Sequence, residues 1–322
     1  MMTDPRPILQ KALRGRYAIG AFNVNNLELL QGIIAAAEAR RAPVILQTSE
    51  GAIAYAGMDM LLAMMRITAK RARVPVVIHL DHGKDLAIVQ QAIRSGYTSV
   101  MYDGSSLPYA ENVRNTARIV KLAHTKGIAV EAELGAIRGV EDFVSVSERE
   151  AAFTNPEQAL DFVERTGCDS LAIAIGTSHG AHKAARSNVN GQVSNVALDI
   201  PRLRRIHALL PKTPLVLHGA SSVPEMLVGE TKLYCSMLGD CQRLEGATGI
   251  PDTQIRAAIR SGVAKINTDT DLRIAFTAGL REAIVEEKDQ FDPRTLLAPA
   301  RAKVQQIAEQ RIKVFGSRGK HG

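Results

Sequence analysis

An apolar run at residues 75–80 predicts a buried strand, and it leads directly into Asp81 and His82. Residues two apart in a strand share a face, so His79 and Asp81 point the same way, while His82 stands where the chain turns. A carboxylate and imidazoles at the mouth of a buried strand are costly to place unless they bind something. Aspartate beside histidine suits a divalent metal or acid/base catalysis, although a solvated strand end explains these residues equally well on its own.

Seven other apolar runs of strand length occur in the 322-residue chain, and helical patterns separate them. The runs are continuous rather than alternating, as expected for strands buried on both faces. We therefore expect a (β/α)8 TIM barrel with extra C-terminal helices, formed by residues 1–322 as one domain. An open, doubly wound sheet is less favoured, because no GxGxxG motif follows the first strand. The expected strands are 17–23, 43–48, the run at 75–84, 97–103, 128–134, 168–176, 214–221 and 263–269.

The segments between the strands are expected to hold most of the helices. Asn25 or Asn26 can cap the first amphipathic helix. The segments 135–154 and 177–195 are expected to be long loops, and 223–249 is expected to be irregular or partly helical. The expected helices are 27–41, about 58–73, 84–94, 109–125, 156–166, 199–210, 251–262, 270–288 and 293–314.

Polar residues stand at the predicted strand ends, and a barrel gathers these ends on one rim. Of eight histidines, His82, His179 and His218 follow the third, sixth and seventh strands. Three imidazoles and an open position make a catalytic zinc site, which explains this placement better than three unrelated surface histidines. The other polar strand-end residues are Gln47, Thr48, Ser49, Asp81, Asp103, Glu131, Glu133, Asn267 and Asp269.

Two segments of small and polar residues predict a phosphate site. Residues 218–222 (HGASS) and 267–270 (NTDT) follow the seventh and eighth strands. That part of a barrel rim commonly binds phosphate through backbone N–H groups and hydroxyls, although ordinary tight turns explain either segment alone. The net charge of +7 supports an anionic, phosphorylated substrate.

Composition argues against several other classes of protein. The basic residues are scattered, aromatic residues make up 4% and there is no tryptophan, which is atypical of nucleic-acid stacking platforms. No apolar run reaches the roughly 18 residues that span a bilayer, and the N-terminus lacks a secretory signal. Cys168, Cys235 and Cys241 form no CxxC pair, which argues against a disulfide framework. We expect a cytoplasmic protein that binds neither nucleic acid nor membranes.

Five motifs, together with AFNVNN at 21–26, give the chain a family resemblance that covers almost its entire length. The motifs are HLDHG, EAELG followed by GVED, AIGTSHG, LHGASS and KINTDTDLR. In this order and at barrel-strand spacing, the chain resembles the class II, metal-dependent fructose-bisphosphate aldolases. Aldolases that cleave tagatose 1,6-bisphosphate share most of the motifs, so the resemblance leaves the two sugar substrates open.

The resemblance implies a role for each matching position. His82, His179 and His218 match the ligands of the catalytic Zn2+, and Asp103 and Glu133 match positions that can hold a second divalent or monovalent cation. Asp81 matches the group that exchanges the proton of the C4 hydroxyl. Glu141, in GVED, matches the glutamate that exchanges the C3 proton of dihydroxyacetone phosphate. The implied substrate contacts are Ser49, Gly180, Lys183, Gly219, Ser221, Asn267, Asp269, Thr270, Arg273, Asp292 and Arg294.

The resemblance also implies a homodimer or homotetramer, in which Arg273 reaches the distal phosphate of a neighbouring subunit's substrate. Two alternatives to a metal-dependent aldolase remain at this point. A Schiff-base aldolase would use a lysine, for which Lys265 on the eighth strand is the best candidate. A non-catalytic basic protein could bind nucleic acid, but it would leave the three rim histidines unexplained.

Overall fold

The computed structural model describes residues 1–135, 139–141, 144–146, 153–177, 186–187, 193–194, 197–222, 224–239 and 249–322. The four short segments within 139–194 are described by their backbone alone. The strands are β1 (Ile19–Asn23), β2 (Val44–Thr48), β3 (Val76–Gly83), β4 (Ser99–Tyr102), β5 (Ala129–Leu134), β6 (Gly139–Glu141), β7 (Val144–Val146), β8 (Ser170–Ile173), β9 (Arg186–Ser187), β10 (Val193–Ser194), β11 (Leu215–Leu217) and β12 (Val263–Thr268).

Eight of these strands close into a parallel barrel in the order β1-β12-β11-β8-β5-β4-β3-β2. Each neighbouring pair is parallel, as βα units require. The predicted (β/α)8 TIM barrel is therefore confirmed. The strands β6 and β7 form a short antiparallel hairpin, and β9 pairs with β10 in the same way.

Helices surround the barrel and continue beyond its last strand. Asn26 caps α2 by accepting a hydrogen bond from the backbone N–H of Leu29, which selects Asn26 between the two predicted caps. The helices are α1 (Pro5–Gly15), α2 (Leu27–Arg40), α3 (Glu50–Ala56), α4 (Met58–Arg71), α5 (Leu86–Ser95), α6 (Tyr109–His124), α7 (Pro156–Thr166), α8 (Ile200–Leu209), α9 (Glu225–Leu238), α10 (Asp252–Arg260), α11 (Thr270–Glu286) and α12 (Pro293–Phe315). The last two are the predicted extra C-terminal helices.

The structure differs from the sequence prediction in several segments. Helices α1 and α3 were not predicted, whereas α9 agrees with the expectation that 223–249 is irregular or partly helical. Hairpin β6–β7 lies within the predicted long loop 135–154. Cys235 is disulfide-bonded, although no CxxC pair pointed to a disulfide.

No single helix in the described ranges is long and apolar enough to cross a membrane. Taken together, the helices α3 and α4 have the length and the apolar composition of a membrane span, but the chain bends by 99° between them.

The inside of the barrel is divided into an apolar layer and a polar layer. At the N-terminal ends of the strands, Leu9 and Ala12 of α1 pack against inward-facing apolar residues of four strands, so α1 closes this end. Towards the C-terminal ends, buried polar residues face inward beside a small apolar cluster of Met101, Ala172 and Val216. The apolar layer is formed by Leu9, Ala12, Tyr17, Ile19, Ala21, Ile45, Val77 and Ala264. Buried polar side chains need partners or a ligand, so the polar layer marks the candidate site.

Candidate active site

The carboxyl ends of four barrel strands bring predicted metal-binding side chains together with Asp81. One group of possible metal ligands consists of Asp81, His82 and His218, and a second consists of His82, Asp103 and Glu133. All five side chains are buried, and the ligand atoms of each group lie within 4.8 Å of one another. The convergence predicted from the strand ends is thus present in the structure for these residues.

An irregularity in β3 allows two successive residues to face the same site. Neighbouring residues of a regular strand point to opposite faces. The pairing of β3 with β4 shifts register between Leu80 and Gly83, and His82 has a left-handed backbone φ of 46°. A non-glycine residue in this region is strained, and such strain concentrates at functional sites. The bend turns the imidazole of His82 back beside the carboxylate of Asp81.

Each of the two imidazoles is held by a carboxylate on one side and faces the other imidazole on the opposite side. His82 Nδ1 lies 3.0 Å from Asp103 Oδ2, and His218 Nε2 lies 2.8 Å from Glu131 Oε1. The remaining nitrogens, His82 Nε2 and His218 Nδ1, are 2.7 Å apart. Metal-binding histidines commonly donate their outer N–H to a carboxylate in this manner.

The charges around His82 favour a cation at this point. Burial acts to lower the pKa of His82, but the negative charge of Asp81 and the hydrogen bond to Asp103 outweigh it and raise the pKa to about 10. Burial acts against ionisation of Asp103 as well, yet its contact with His82 leaves the pKa of this carboxyl below its usual range. The pKa of His218 is lowered by burial and by the positive charge of His82.

Glu133 provides an observation that fits a metal ligand. Its side chain is buried, and Oε2 has no hydrogen-bond partner within the described parts of the chain. This oxygen lies 3.8 Å from His82 Nδ1 and 3.9 Å from His218 Nδ1. Burial and the neighbouring charge of Asp103 raise the pKa of Glu133 well above its usual value. A buried oxygen without a partner beside two imidazoles has the chemistry of a divalent-cation site.

Asp81 is oriented by three side-chain amides. Its Oδ2 accepts hydrogen bonds from Asn23 (3.1 Å) and Gln47 (3.0 Å), and its Oδ1 accepts one from Asn267 (2.9 Å). Gln47 also donates to Asn23 Oδ1 at 2.7 Å, so the amides form one network. This arrangement fixes a carboxylate next to the candidate metal site, where it can exchange a proton with a bound substrate.

Asn23 was not predicted as a site residue, and Gln47 was named only as a strand-end residue. Both residues could have been found from the sequence, because side chains alternate between the inside and the outside of the barrel along each strand. Asn23 pairs with Gln47 in the register of β1 and β2, two residues beyond the pair Ala21 and Ile45. Ala21 and Ile45 line the apolar inner layer, so the polar residues two positions later also face inward.

Lys265 and His79 lie deeper in the barrel than Asp81. The Lys265 side chain is 1% exposed, and its ammonium lies 2.8 Å from Glu131 Oε2. Burial and the positive charge of Lys265 lower the pKa of His79 to about 3, and His79 Nδ1 is 2.9 Å from Ser99 Oγ. His79 thus has the structural role expected of a strand-interior histidine. The paired, buried ammonium of Lys265 gives no support to a Schiff-base mechanism.

The predicted phosphate contacts lie around the start of α11. Gly219 has a left-handed φ of 57°, which favours glycine, and Ser221 is buried. Asp269 precedes the first turn of α11 at Thr270, and the positive end of the helix dipole at a helix N-terminus favours an anion. Asn267, at the end of β12, reaches the carboxylate of Asp81.

Arg273 borders a cleft beside this region, and Ser49 directly precedes the helix α3 that contributes part of the cleft wall. Arg273 forms an ion pair with Asp269, with Nη2 2.8 Å from Oδ2, and its side chain is 41% exposed. Ser49 caps α3 by accepting a hydrogen bond from the N–H of Ala52. The cleft has a volume of about 410 Å³ and is lined by Asn25, Asn26, Leu29, Gly51, Ala52, Tyr55, Arg273, Phe276 and Thr277.

Several predicted residues are described only in part or not at all. Asp292 caps α12 and forms an ion pair with the exposed Arg294, so a local role accounts for both of their described contacts. Glu141 ends β6, and only its backbone is described. His179, Gly180 and Lys183 lie outside the described residues.

Comparison with known proteins identifies the class of protein that this barrel and its histidine–carboxylate centre define. The family described as "Fructose-bisphosphate aldolase class-II" matches residues 3–320. The chain therefore belongs to the class II fructose-bisphosphate aldolase family, as the sequence motifs predicted.

Individual relatives agree with this assignment over their full lengths. The chain is 48% identical to "Fructose-bisphosphate aldolase" of Thermus caldophilus over 320 residues, covering 99% of the chain and 100% of the relative. It is 41% identical to the protein of the same name from Helicobacter pylori strain ATCC 700392 / 26695 over 321 residues, with 99% and 100% covered. The crystal structure of the YdjI aldolase from Escherichia coli K12 is similar with a TM-score of 0.75 at 34% identity, covering 100% of each chain.

Proposed function

We propose that this chain catalyses the reversible, zinc-dependent aldol cleavage of fructose 1,6-bisphosphate to dihydroxyacetone phosphate and glyceraldehyde 3-phosphate. The pathway would be glycolysis, gluconeogenesis or the Calvin cycle. The observation that carries the proposal is the pair of facing imidazoles of His82 and His218, each backed by a buried carboxylate, beside the amide-bound Asp81. Family membership supports it, since relatives over the full length are named fructose-bisphosphate aldolase.

The residues suit a divalent cation. His82 Nε2 and His218 Nδ1 would hold it together with His179, whose role rests on the family motif. Glu133 and Asp103 lie close enough to His82 to share a second cation. A bound zinc ion supplies a Lewis acid that polarises the substrate ketone and stabilises the negative charge formed at C–C cleavage.

Asp81 is proposed to move the proton of the C4 hydroxyl. In cleavage, the carboxylate takes this proton as the C3–C4 bond breaks and the aldehyde forms. In condensation, the same group returns it. The three amide donors hold the carboxylate in one orientation, which keeps the accepting oxygen in place through both directions.

Glu141 is proposed to exchange the proton at C3 of dihydroxyacetone phosphate. It ends β6 in the hairpin that follows β5, the strand that carries Glu131 and Glu133. A hairpin that connects two elements of the barrel could move towards the substrate after binding.

The two phosphates are proposed to bind on opposite sides of the reacting carbons. Gly219, Ser221, Asn267, Asp269 and Thr270 would hold the phosphate of the dihydroxyacetone half, together with Gly180 and Lys183. Ser49 and Arg273 would serve the distal phosphate, with Asp292 and Arg294 as further contacts. The homodimer or homotetramer, in which Arg273 serves the partner's site, and the cytoplasmic location remain predictions.

Tagatose 1,6-bisphosphate is the second candidate substrate, because the two sugars differ only in the configuration at C4. The decisive measurement is product analysis with each bisphosphate on zinc-loaded protein. Formation of dihydroxyacetone phosphate from fructose 1,6-bisphosphate at a much higher kcat/KM supports the proposal. A preference for tagatose 1,6-bisphosphate would assign the alternative, and cleavage of neither would refute the function. The nucleic-acid alternative finds no support in the family assignment.

A further inference from the structure

A buried ion pair between Glu131 and Lys265 lies next to the two facing imidazoles, on the side towards the barrel interior. Glu131 and Lys265 are 2% and 1% exposed, and they project into the barrel from β5 and β12. The Lys265 ammonium donates to both oxygens of Glu131, at 3.0 Å to Oε1 and 2.8 Å to Oε2. Burying two charges is expensive, and breaking such a pair by removing one partner is strongly destabilising. A barrel interior of apolar residues would fold without this cost, so the pair requires an explanation.

The contacts of Glu131 link Lys265 to the candidate metal site. Glu131 Oε1 accepts a hydrogen bond from His218 Nε2 at 2.8 Å. A neutral imidazole that donates through Nε2 carries a bare Nδ1. That Nδ1 is the atom that faces His82 Nε2 at 2.7 Å. The carboxylate below therefore determines which nitrogen of His218 is presented to the site.

Lys265 in turn determines where the carboxylate lies. An isolated glutamate can rotate about its side-chain bonds and turn either oxygen to His218. With both oxygens bound to one ammonium, the carboxylate plane is fixed. Among the described residues, the ammonium also lies 3.4 Å from His79 Nε2. The pKa of His79 is lowered to about 3, so this ring stays neutral and does not compete with Glu131 for the charge of Lys265.

We propose that Lys265 and Glu131 are positioning residues that hold His218 as its Nε2–H tautomer and so preorganise Nδ1 as a metal ligand. This inference rests on the proposed metal-dependent function, but it concerns metal binding and not turnover. Outer partners of metal-binding histidines typically change metal affinity by about 10–100-fold when removed. Asp103 has the equivalent position for His82, and on the His218 side the carboxylate is itself held through both oxygens by a buried lysine.

The first test uses the unmodified protein. In metal-free protein with ¹⁵N-labelled histidine, long-range ¹H–¹⁵N spectra distinguish the two tautomers, and the variant His218→Gln assigns the resonance. We expect a protonated Nε2 and an unprotonated Nδ1 for His218. A His218 ring protonated at Nδ1 with a bare Nε2 would overturn the proposal.

The second test measures zinc affinity by competition with a chelator, together with the visible spectrum of the cobalt-loaded protein. Lys265→Met and Glu131→Gln should each weaken zinc binding by roughly tenfold or more, with an altered cobalt spectrum. The double variant Glu131→Leu/Lys265→Met leaves no unpaired charge, so it should fold and still bind zinc weakly. Parent affinity and spectrum in a folded double variant would refute the positioning role.

A matched control separates positioning from general loss of a buried hydrogen bond. Thr231→Val removes a buried 2.7 Å bond to the backbone carbonyl of Leu227 in α9, a helix that carries no residue of the candidate metal site. Its zinc affinity should equal that of the parent. Because zinc binding is measured without substrate, the positioning role can fail while aldol cleavage is confirmed, or hold while the cleavage assay fails.

Discussion

His82 Nε2 lies 2.7 Å from His218 Nδ1, and the two rings stand at 88° to each other. The two side chains come from β3 and from the residue after β11, which are not neighbours in the barrel. The contact requires a hydrogen between the two nitrogens, and a cation that replaced it would gain two imidazole ligands at once. We therefore predict that prolonged chelation abolishes aldolase activity and that zinc or cobalt restores it, as measured in a coupled assay. Full activity in protein shown by elemental analysis to be metal-free would contradict this.

The two substitutions His218→Ala and Asp81→Ala should separate metal binding from proton transfer. Removing the imidazole takes away a ligand, so His218→Ala should purify without zinc. Asp81 is proposed as the acid/base group, so Asp81→Ala should keep the metal and lose cleavage by on the order of 10²-fold or more. Metal analysis of both purified variants decides the roles. A metal-free Asp81→Ala protein would show that Asp81 is a ligand instead.

Gln47→Leu tests the amide network around Asp81. The variant loses one 3.0 Å hydrogen bond to the carboxylate, and bonds to charged groups are worth about 1.5–3 kcal/mol. We expect kcat to fall about tenfold or more with zinc content unchanged. Gln10→Leu is the control, since Gln10 is bonded only to the backbone of Lys212 among the described residues. An unchanged kcat in Gln47→Leu would show that Asn23 and Asn267 suffice.

The barrel strands and the site residues at their C-terminal ends were predictable, because each is indicated by residues that are close together in the sequence. Continuous apolar runs mark strands buried on both faces, and Asp81 and His82 are conspicuous after such a run. The strain at His82 was not predictable, because its positive φ follows from the pairing of β3 with β4 and not from its own residue type. Helix α3 was missed because a helix of seven residues has weak periodicity. Helix α1 was missed because it precedes the first strand and belongs to no βα unit, and its place is defined by the barrel end that it covers.

The deeper part of the site depends on contacts that the sequence separates widely. Lys265 lies within an apolar strand, where a lysine suggests either an exposed edge or a reactive amine. Its actual partner, Glu131, is 134 residues away. Only the closure of the barrel places the two side chains opposite each other, so spacing along the chain carries no signal for the pair.

Cys168 should be unreactive in the native protein. Its thiol is buried, and burial raises its pKa to about 12. The pKa of an unfolded cysteine lies near about 8.5. The buried, neutral Cys168 therefore makes its full contribution to the free energy of unfolding below about pH 8.5, and this contribution is lost as the pH rises towards 12, because the unfolded thiol then ionises first. We predict no alkylation of Cys168 by iodoacetamide at about pH 8.5, and rapid alkylation in denaturant. Peptide mass mapping checks this, with Cys168→Ser as the control, and native alkylation at the rate of a free thiol would contradict it.

Substitution of Glu141 tests whether Asp81 and Glu141 act on different protons of the substrate. Glu141 lies at the end of β6, in a segment where a glutamate without the family motif would be expected to be a solvated surface charge. The motif assigns it the proton at C3. Exchange of that proton between dihydroxyacetone phosphate and solvent needs the metal, the ketone and a base. It does not need Asp81, whose proposed action concerns the C4 hydroxyl on the aldehyde half of the substrate.

The variant Glu141→Ala should therefore lose deuterium exchange into dihydroxyacetone phosphate, by on the order of 10²-fold or more, while Asp81→Ala retains a good part of it. The exchange is followed by ¹H NMR in deuterated buffer with zinc-loaded proteins of equal metal content. Glu141→Gln keeps the size of the side chain but not the base, so it should behave as Glu141→Ala does. If Glu141→Ala exchanges deuterium at the parent rate, the glutamate is a surface charge. His182 would then be the next candidate base, because Glu131 is already engaged by Lys265 and His218.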